Sequence, residues 1–525
     1  MSPLKPPEMH WSRWGDPAMA GPLPESAFAL VDAFIGTAET PAVDSGEVRL
    51  SEPLAAASVG ELEELVGAEH VLTDSETRLH RTRGKSTPDL LRLRAGDGSD
   101  SPDAVVRPGS HEEVEAVIAW CVERNVALVP FGGGTSVVGG LVARREGFAG
   151  VISLDLIRLD KLLALDEDSM TATLEPGLRG PQAEALLAEH GMTLGHFPQS
   201  FEYATIGGFA VTRSSGQSSA GYGRFDSLVV GLRVATPRGE LVLGNSPANA
   251  AGPDLREVVM GSEGAFGVVT AVTVRVRRVP VVKVYLTWRW ESFVDGATAM
   301  RTLAQSGVLP TVLRLSDENE TAINLANPAE VGGESSGGCL MVTGFEGTQE
   351  AVEAKRSAVT ALLTGLGGDC LGEDTGWSEG RFHGPYLRDS LLDVGVLVET
   401  LETVTFWSNL HRVYDAVKAA VTGELGEGGL VLCHISHVYE TGASLYFTVA
   451  TKQAADPLAQ WLGVKAAASD ALIDNGASIT HHHAVGQDHK PWLAREIGPV
   501  GVRMLRALKA ELDPTGVLNP GVLVP

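Results

Sequence analysis

Residues 129–140, VPFGGGTSVVGG, leave a β-branched run through three consecutive glycines. Without a Cβ, such a run can aim several backbone N–H groups into one concavity, as a diphosphate cradle does. Two common phosphate loops do not fit: no GK[ST] follows, and no GxGxxG opens a helix. Alone, a triple glycine is as readily a plain turn. Two further stretches shift that balance. Residues 199–225, QSFEYATIGGFAVTRSSGQSSAGYGRF, are rich in Gly, Ser and Thr, poorly periodic and too long for an ordinary connection, and residues 252–270, GPDLREVVMGSEGAFGVVT, form a third such stretch.

The surrounding chain alternates strands with amphipathic helices. SHEEVEAVIAWCVERN predicts a helix capped by Ser110 with Glu113 three residues on, its stripe formed by Val114, Val117, Ile118 and Cys121. Short β-branched runs continue to about Pro280, where the pattern resets to strands such as VKVYLTWRW interleaved with long helices such as SNLHRVYDAVKAAVTGELG. The second pattern predicts an antiparallel sheet covered by helices on one face. At 525 residues the chain exceeds one core, and the α+β reading divides it into an N-terminal arm and helical region (1–100), a Gly-rich loop domain (101–280), a second domain (281–490) and a C-terminal segment returning to the first (491–525).

Composition narrows the partners. A formal net charge of −25 argues against nucleic acid while leaving room for a local basic pocket. Cys121, Cys339, Cys370 and Cys433 lack CxxC spacing, which suggests neither a disulfide framework nor a zinc ribbon. MSPLKPPEMHWSRWGDP contains no apolar signal-peptide core, and no stretch approaches the roughly 18 apolar residues of a membrane span. A cytoplasmic protein is expected, with a lipid substrate or a peripheral contact with the inner face of the membrane still open.

Three histidines, His481, His482 and His483, stand together in GASITHHHAVGQ. Taken as a strand, THHHA sends His481 and His483 to one face and His482 to the other. A metal would accept the His481/His483 pair but wants a third ligand and a carboxylate partner that the sequence does not obviously provide. The pattern alone leaves metal and non-metal readings evenly open.

The three Gly-rich stretches, in this order and spacing, resemble the FAD-binding domain of the vanillyl-alcohol oxidase / p-cresol methylhydroxylase superfamily. The resemblance implies a two-subdomain FAD-binding domain over 101–280 and an α+β cap over 281–490. It implies a diphosphate loop of Pro130, Phe131, Gly132, Gly133, Gly134, Thr135 and Ser136, and an isoalloxazine wall of Gln199, Ser200, Thr205, Gly207, Gly208, Thr212, Arg213, Ser214 and Ser215. Gly261, Ser262, Glu263, Gly264, Ala265, Phe266 and Gly267 fall on the adenine-ribose side. His196, in TLGHFPQS, is the one nearby candidate for covalent attachment, but a lone histidine is more often a packing residue, so non-covalent FAD is expected.

Nearly end to end, the chain also resembles the alkyldihydroxyacetonephosphate synthase family, through MHWSRWGDP, HFPQSFEYATIGGFAVTRSSG, AGPDLREVVMGSEG, YLRDSLLDVGVLVETLETVTFW, HISHVYETGASLYFT and ASITHHHAVGQDHKPWL. That family exchanges the acyl group of acyl-dihydroxyacetone phosphate for a long-chain alcohol without net redox, with the flavin holding the dihydroxyacetone-phosphate carbon. By resemblance Tyr439 and His481, His482 and His483 are catalytic, Arg388 and Arg314 bind substrate, no metal takes part, and a homodimer is expected. Without the resemblance Tyr439 reads as a core aromatic and each arginine as a salt-bridge residue. GQDHKPWL departs from the family by keeping only His489 and Lys490 of a basic run, which bears on the alkyl donor. The competing reading is a D-2-hydroxyacid dehydrogenase or oxidase, which shares the FAD domain and a similar cap.

Overall fold

The strand Val126–Phe131, which ends at the triple glycine, pairs in parallel with Gly150–Asp155, and that strand pairs in parallel with Ala104–Val106. Every residue of Gly150–Asp155 is buried, as a strand covered on both faces requires. The helix His111–Arg124 joins Ala104–Val106 to Val126–Phe131. Ser110 Oγ accepts the Glu113 N–H at 3.2 Å, Val114, Val117, Ile118 and Cys121 are buried, and Asn125 ends the helix in the left-handed region. A second, five-stranded sheet is antiparallel, in the order Gly239–Leu243, Val229–Thr236, Val268–Arg275, Thr171–Leu174, Leu162–Asp166. This computed structural model describes residues 7–323, 337–373, 376, 380–426 and 428–525.

The third sheet has seven antiparallel strands, in the order Asp369–Glu373, Val282–Trp290, Cys339–Gly347, Val312–Ser316, Leu430–Ile435, Gly442–Lys452, Val396–Phe406. Period-two alternation sorts its faces. Leu313, Leu315, Val431, Cys433, Leu445, Phe447 and Val449 join Trp288 and Phe345 in a core under the helices Phe293–Ser306, Gln349–Gly365, Leu410–Leu425 and Pro457–Asp474. Their neighbours Val312, Arg314, Leu432, His434, Tyr446, Thr448 and Ala450 point the opposite way, into a cavity. One face is therefore structural and the other is available for chemistry.

The N-terminal arm reaches that cavity, and the C-terminal segment packs beside the strand that leads into it. The helix Glu25–Phe34 lends it Ala27, Leu30, Val31 and Phe34. After the long helix Lys490–Leu512, which kinks at Gly498 and Pro499, the tail runs beside Val126–Phe131, where Leu128 N–H donates to Val517 O at 2.8 Å. Among the described residues no helix is long and apolar enough to cross a membrane.

One expectation fails. Residues 477–487 are not a strand but an irregular, bent loop after the helix Pro457–Asp474. The division of the three histidines between two faces goes with it.

Candidate active site

A cavity of about 640 Å³ lies where the triple-glycine loop, the residues after Gln199 and the open face of the seven-stranded sheet converge. Glycine is required in the loop because the two segments nearly touch: a Cβ on Gly133 would stand 2.0 Å from the backbone oxygen of Tyr203, and one on Gly132 would stand 2.4 Å from the Thr205 side-chain Oγ1. Among the described residues, the N–H groups of Gly133, Gly134 and Thr135 have no protein acceptor. Backbone donors left unmatched at a cavity wall are the chemistry that holds a diphosphate. The residues present fit FAD on that observation.

Most of the predicted cofactor residues line this cavity: Pro130 through Ser136, Gln199, Ser200, Thr205, Gly207, Gly208, Thr212, Ser214, Ser215, Glu263, Gly264 and Gly267. Five do not. Arg213 turns away, donating to Met260 O at 3.1 Å and pairing with Asp226 and Glu257. Gly261 packs on the Arg213 side chain, Ser262 is buried off the cavity, and Ala265 and Phe266 form a small core with Val485 and Leu493. Glu263 has a second task, accepting the N–H groups of Val485 at 3.1 Å and Gly486 at 2.7 Å, so that the loop after the histidines is tied to the cofactor wall. Burial pushes its carboxyl up to about 7.

His196 is off the cavity wall. It packs between Phe209 and Phe225, with ring centroids 4.7 and 5.0 Å away, and its Nε2 lies 3.0 Å from Ser214 Oγ. It is a packing residue.

The catalytic candidates assemble into one chain of contacts. Tyr439 Oη lies 2.5 Å from His481 Nε2, and His481 Nδ1 lies 2.9 Å from His482 Nδ1. His482 and His483 border the cavity, while Tyr439 and His481 stand one layer behind it. Burial lowers the proton affinity of all three imidazoles, that of His483 to about 3. Burial raises the Tyr439 hydroxyl to about 12 even though the Arg224 guanidinium favours its ionised form. Near neutral pH the histidines are therefore neutral and the phenol protonated.

Arg388 and Arg314 both border the cavity from other sides. Arg388 donates to Lys85 O at 2.6 Å and to Asp389 at 2.9 Å, from the helix Gly384–Asp393. Arg314 pairs with fully buried Glu320, whose other oxygen lies 3.0 Å from His434 Nδ1. Burial opposes the charge on Glu320, yet His434 and Arg314 outweigh it and hold the carboxyl at about 2.

Three groups of the site escaped the sequence reading. His437 borders the cavity with Nδ1 held by Ser219 Oγ at 2.7 Å and Ser215 Oγ at 3.0 Å. Together with His481 and His482 it brings three imidazoles within 4.8 Å of one another, the third ligand-type group that the histidine triplet lacked in sequence. Arg224 donates to His481 O at 3.1 Å. Glu402 lies under the histidine loop and accepts hydrogen bonds from His481 N–H at 2.6 Å, His482 N–H at 3.2 Å, His483 N–H at 3.0 Å and Thr480 Oγ1 at 2.5 Å. Its signal was present: a glutamate inside the β-branched run ETLETVTF has to be buried with partners or exposed on an edge.

Comparison with known proteins agrees with the geometry. Residues 102–244 match the family model described as an FAD binding domain, and residues 279–523 the one described as the C-terminal domain of FAD linked oxidases. The chain is 33% identical over 514 residues to the alkyldihydroxyacetonephosphate synthase of Dictyostelium discoideum, covering 93% of this chain and 84% of that one. A solved alkyldihydroxyacetonephosphate synthase superposes with a TM-score of 0.85 at 30% identity, over 98% of this chain and 99% of the other. P-cresol methylhydroxylase with substrate bound shares the fold at a TM-score of 0.72 and 17% identity, over 92% and 98% of the two chains. The chain is an FAD-binding protein with an α+β cap, and it belongs to the alkyldihydroxyacetonephosphate synthase family.

Proposed function

We propose that this chain is an FAD-dependent alkylglycerone-phosphate synthase, replacing the acyl ester of acyl-dihydroxyacetone phosphate with the ether of a long-chain alcohol and releasing a fatty acid. Residues 101–280 would hold the cofactor and 281–490 the substrates. One observation carries the reading: a single cavity has an apolar flank and a cationic, proton-handling flank. Leu30, Val31, Phe34, Leu391, Leu430 and Leu432 offer the surface that an alkyl chain needs, and Arg388 and Arg314 offer the charge that a phosphate needs. The exposed Met19, Phe28 and Phe34 around the same arm suit a lipid substrate arriving from a membrane surface.

The chemistry needs a proton removed beside a ketone and later returned. Neutral imidazoles can accept it, and the contacts from Tyr439 through His481 to His482 can carry hydrogen bonds in either direction. In one direction Tyr439 donates and His482 presents an N–H to the cavity, and in the other His482 presents a lone pair. Starting from the second state, His482 takes the proton and becomes an imidazolium, and it returns to that state when it gives the proton back. When bound, FAD supplies the nucleophilic ring that such an exchange requires. The sheet face of the cap forms one wall of the cavity, and an alkyl chain lying along it would keep water from replacing the alcohol.

The experiment is direct. The FAD-loaded protein is given acyl-dihydroxyacetone phosphate and a fatty alcohol, with fatty-acid release and flavin absorbance followed together. Release with the flavin oxidised before and after turnover supports the proposal. Absence of release with full flavin loading, or anaerobic bleaching by D-lactate or glycolate, overturns it in favour of hydroxyacid oxidation.

A further inference from the structure

We propose that Glu402 is a positioning residue of this site: its carboxylate shapes the histidine loop and serves as the counter-charge for His482. The inference rests on the synthase reading and adds a residue to it.

Glu402 projects from the strand Val396–Phe406 and its side chain is fully buried. A buried anion is tolerated only where donors satisfy it. One oxygen takes the Thr480 hydroxyl and the N–H groups of His482 and His483, and the other takes the N–H of His481. Three successive amides converge on one carboxylate. In a strand, successive N–H groups point to opposite sides, so this convergence is what bends the segment and lets three adjacent imidazoles gather on one flank. A carboxamide cannot replace it, because it offers one accepting oxygen and turns an N–H₂ toward the remaining amide.

The charge has a second use. The same oxygen that holds His481 N–H lies 3.6 Å from His482 Nδ1, and the other oxygen lies 3.8 Å from His483 Nδ1. Burial opposes protonation of His482, and Glu402 is the first neighbour that favours it. When His482 takes the substrate proton, the imidazolium forms beside an anion already in place, as in a catalytic triad, without the carboxylate itself taking a proton. The other ionisable groups around Glu402 are Tyr446 on the adjoining strand, Lys465 on the helix Pro457–Asp474, His489, Tyr439, and Glu399 on its own strand. Lys465 Nζ is taken up by His489 Nε2 at 2.5 Å, which leaves the histidine loop as the hydrogen-bonding partner of Glu402.

The test compares the FAD-loaded wild type with Glu402→Gln and Glu402→Asp. Fatty-acid release is measured as kcat and KM against pH, and long-range ¹H–¹⁵N spectra of ¹⁵N-histidine protein, with the His482 signals assigned through His482→Gln, report protonation without any turnover. Glu402→Gln is expected to load flavin, keep KM within about twofold and lose about 10- to 100-fold in kcat, the range for a lost partner of a site residue. Its acid limb and its His482 titration should both move to lower pH, and Glu402→Asp, which keeps the charge, should recover part of the loss. An unchanged His482 titration, or a uniform loss that follows flavin loading, overturns the proposal. If Glu402→Gln does not fold, the Asp variant decides by the same titration. If the wild type releases no fatty acid, the synthase reading fails, and the histidine spectra still decide the role of Glu402.

Discussion

Tyr439 Oη and His481 Nε2 stand 2.5 Å apart, although 42 positions separate the two residues in the chain. One lies beyond the strand Leu430–Ile435 and the other beyond the helix Pro457–Asp474, so the contact exists only once the cap has folded. Removing the hydroxyl should leave the fold and flavin loading intact while stopping proton transfer. Tyr439→Phe is expected to lower kcat by about 10²- to 10⁴-fold, the usual range for a general acid or base. His481→Gln should cost as much, and the double variant little more than either, because the pair works as a unit. Additive losses in fatty-acid release would separate them.

The two arginines should fail in different ways. Arg314 neutralises Glu320, a carboxylate with no side-chain exposure, so among the described residues Arg314→Met leaves its buried charge to His434 alone. A loss of about 3–5 kcal/mol in unfolding free energy is expected, read by urea titration. Arg388 has its neighbouring Asp389 and the Lys85 carbonyl as partners. Asp389 is buried as well, but it keeps the Trp14 N–H and the nearby Lys85, so Arg388→Met should lose less stability than Arg314→Met and raise KM for the phosphate substrate.

Gly133→Ala tests the cradle. The added methyl would stand 2.0 Å from the Tyr203 carbonyl oxygen, which is backbone and cannot swing aside. Loss of FAD binding, measured as the ratio of flavin to protein absorbance after purification, is expected. Normal loading would contradict the close approach of these two segments.

Acidification should destabilise the protein before the carboxylates titrate. His196, His483 and His489 are held at about 3 against an ordinary 6.5, and His434, His437, His481 and His482 are lowered as well, in each case chiefly by burial. With folded values depressed, the unfolded chain binds more protons between about pH 6.5 and pH 3, so stability falls as pH falls through that window. Glu263, raised to about 7, Asp89, raised to about 6, and Glu175, Glu184, Glu202 and Asp488, also raised by burial, act in the opposite sense, but with His10, lowered to about 4, eight imidazoles stand against these six carboxyls. Thermal midpoints at about pH 7.5 and pH 5 check this, with a lower midpoint at the acid value expected.

Sequence made part of this legible for physical reasons. The glycine loop, the capped helix after Ser110 and the alternating strands of the cap are local patterns, set by turn chemistry and periodicity, and they led to the FAD fold. The histidine triplet has the pattern of a strand but not its shape, because the force that bends it is tertiary: Glu402, some 80 positions earlier, collects three successive amides. His437 is hidden for the same kind of reason, since its Nδ1 is held by Ser215 and Ser219, which lie more than 200 positions earlier in the Gly/Ser-rich stretch. Arg213 is the opposite case, because a motif position does not reveal a side chain that its left-handed backbone, with φ of 53°, turns off the cavity toward Asp226.

The central claim is alkyl exchange without net redox in one cavity. Its most direct measurement is fatty-acid release from acyl-dihydroxyacetone phosphate on addition of a fatty alcohol, with the flavin spectrum recorded during turnover. Stoichiometric release of acid and formation of ether with the flavin oxidised before and after is the predicted result. A loaded, spectrally intact enzyme that releases no acid, while D-lactate or glycolate bleaches its flavin, would contradict it.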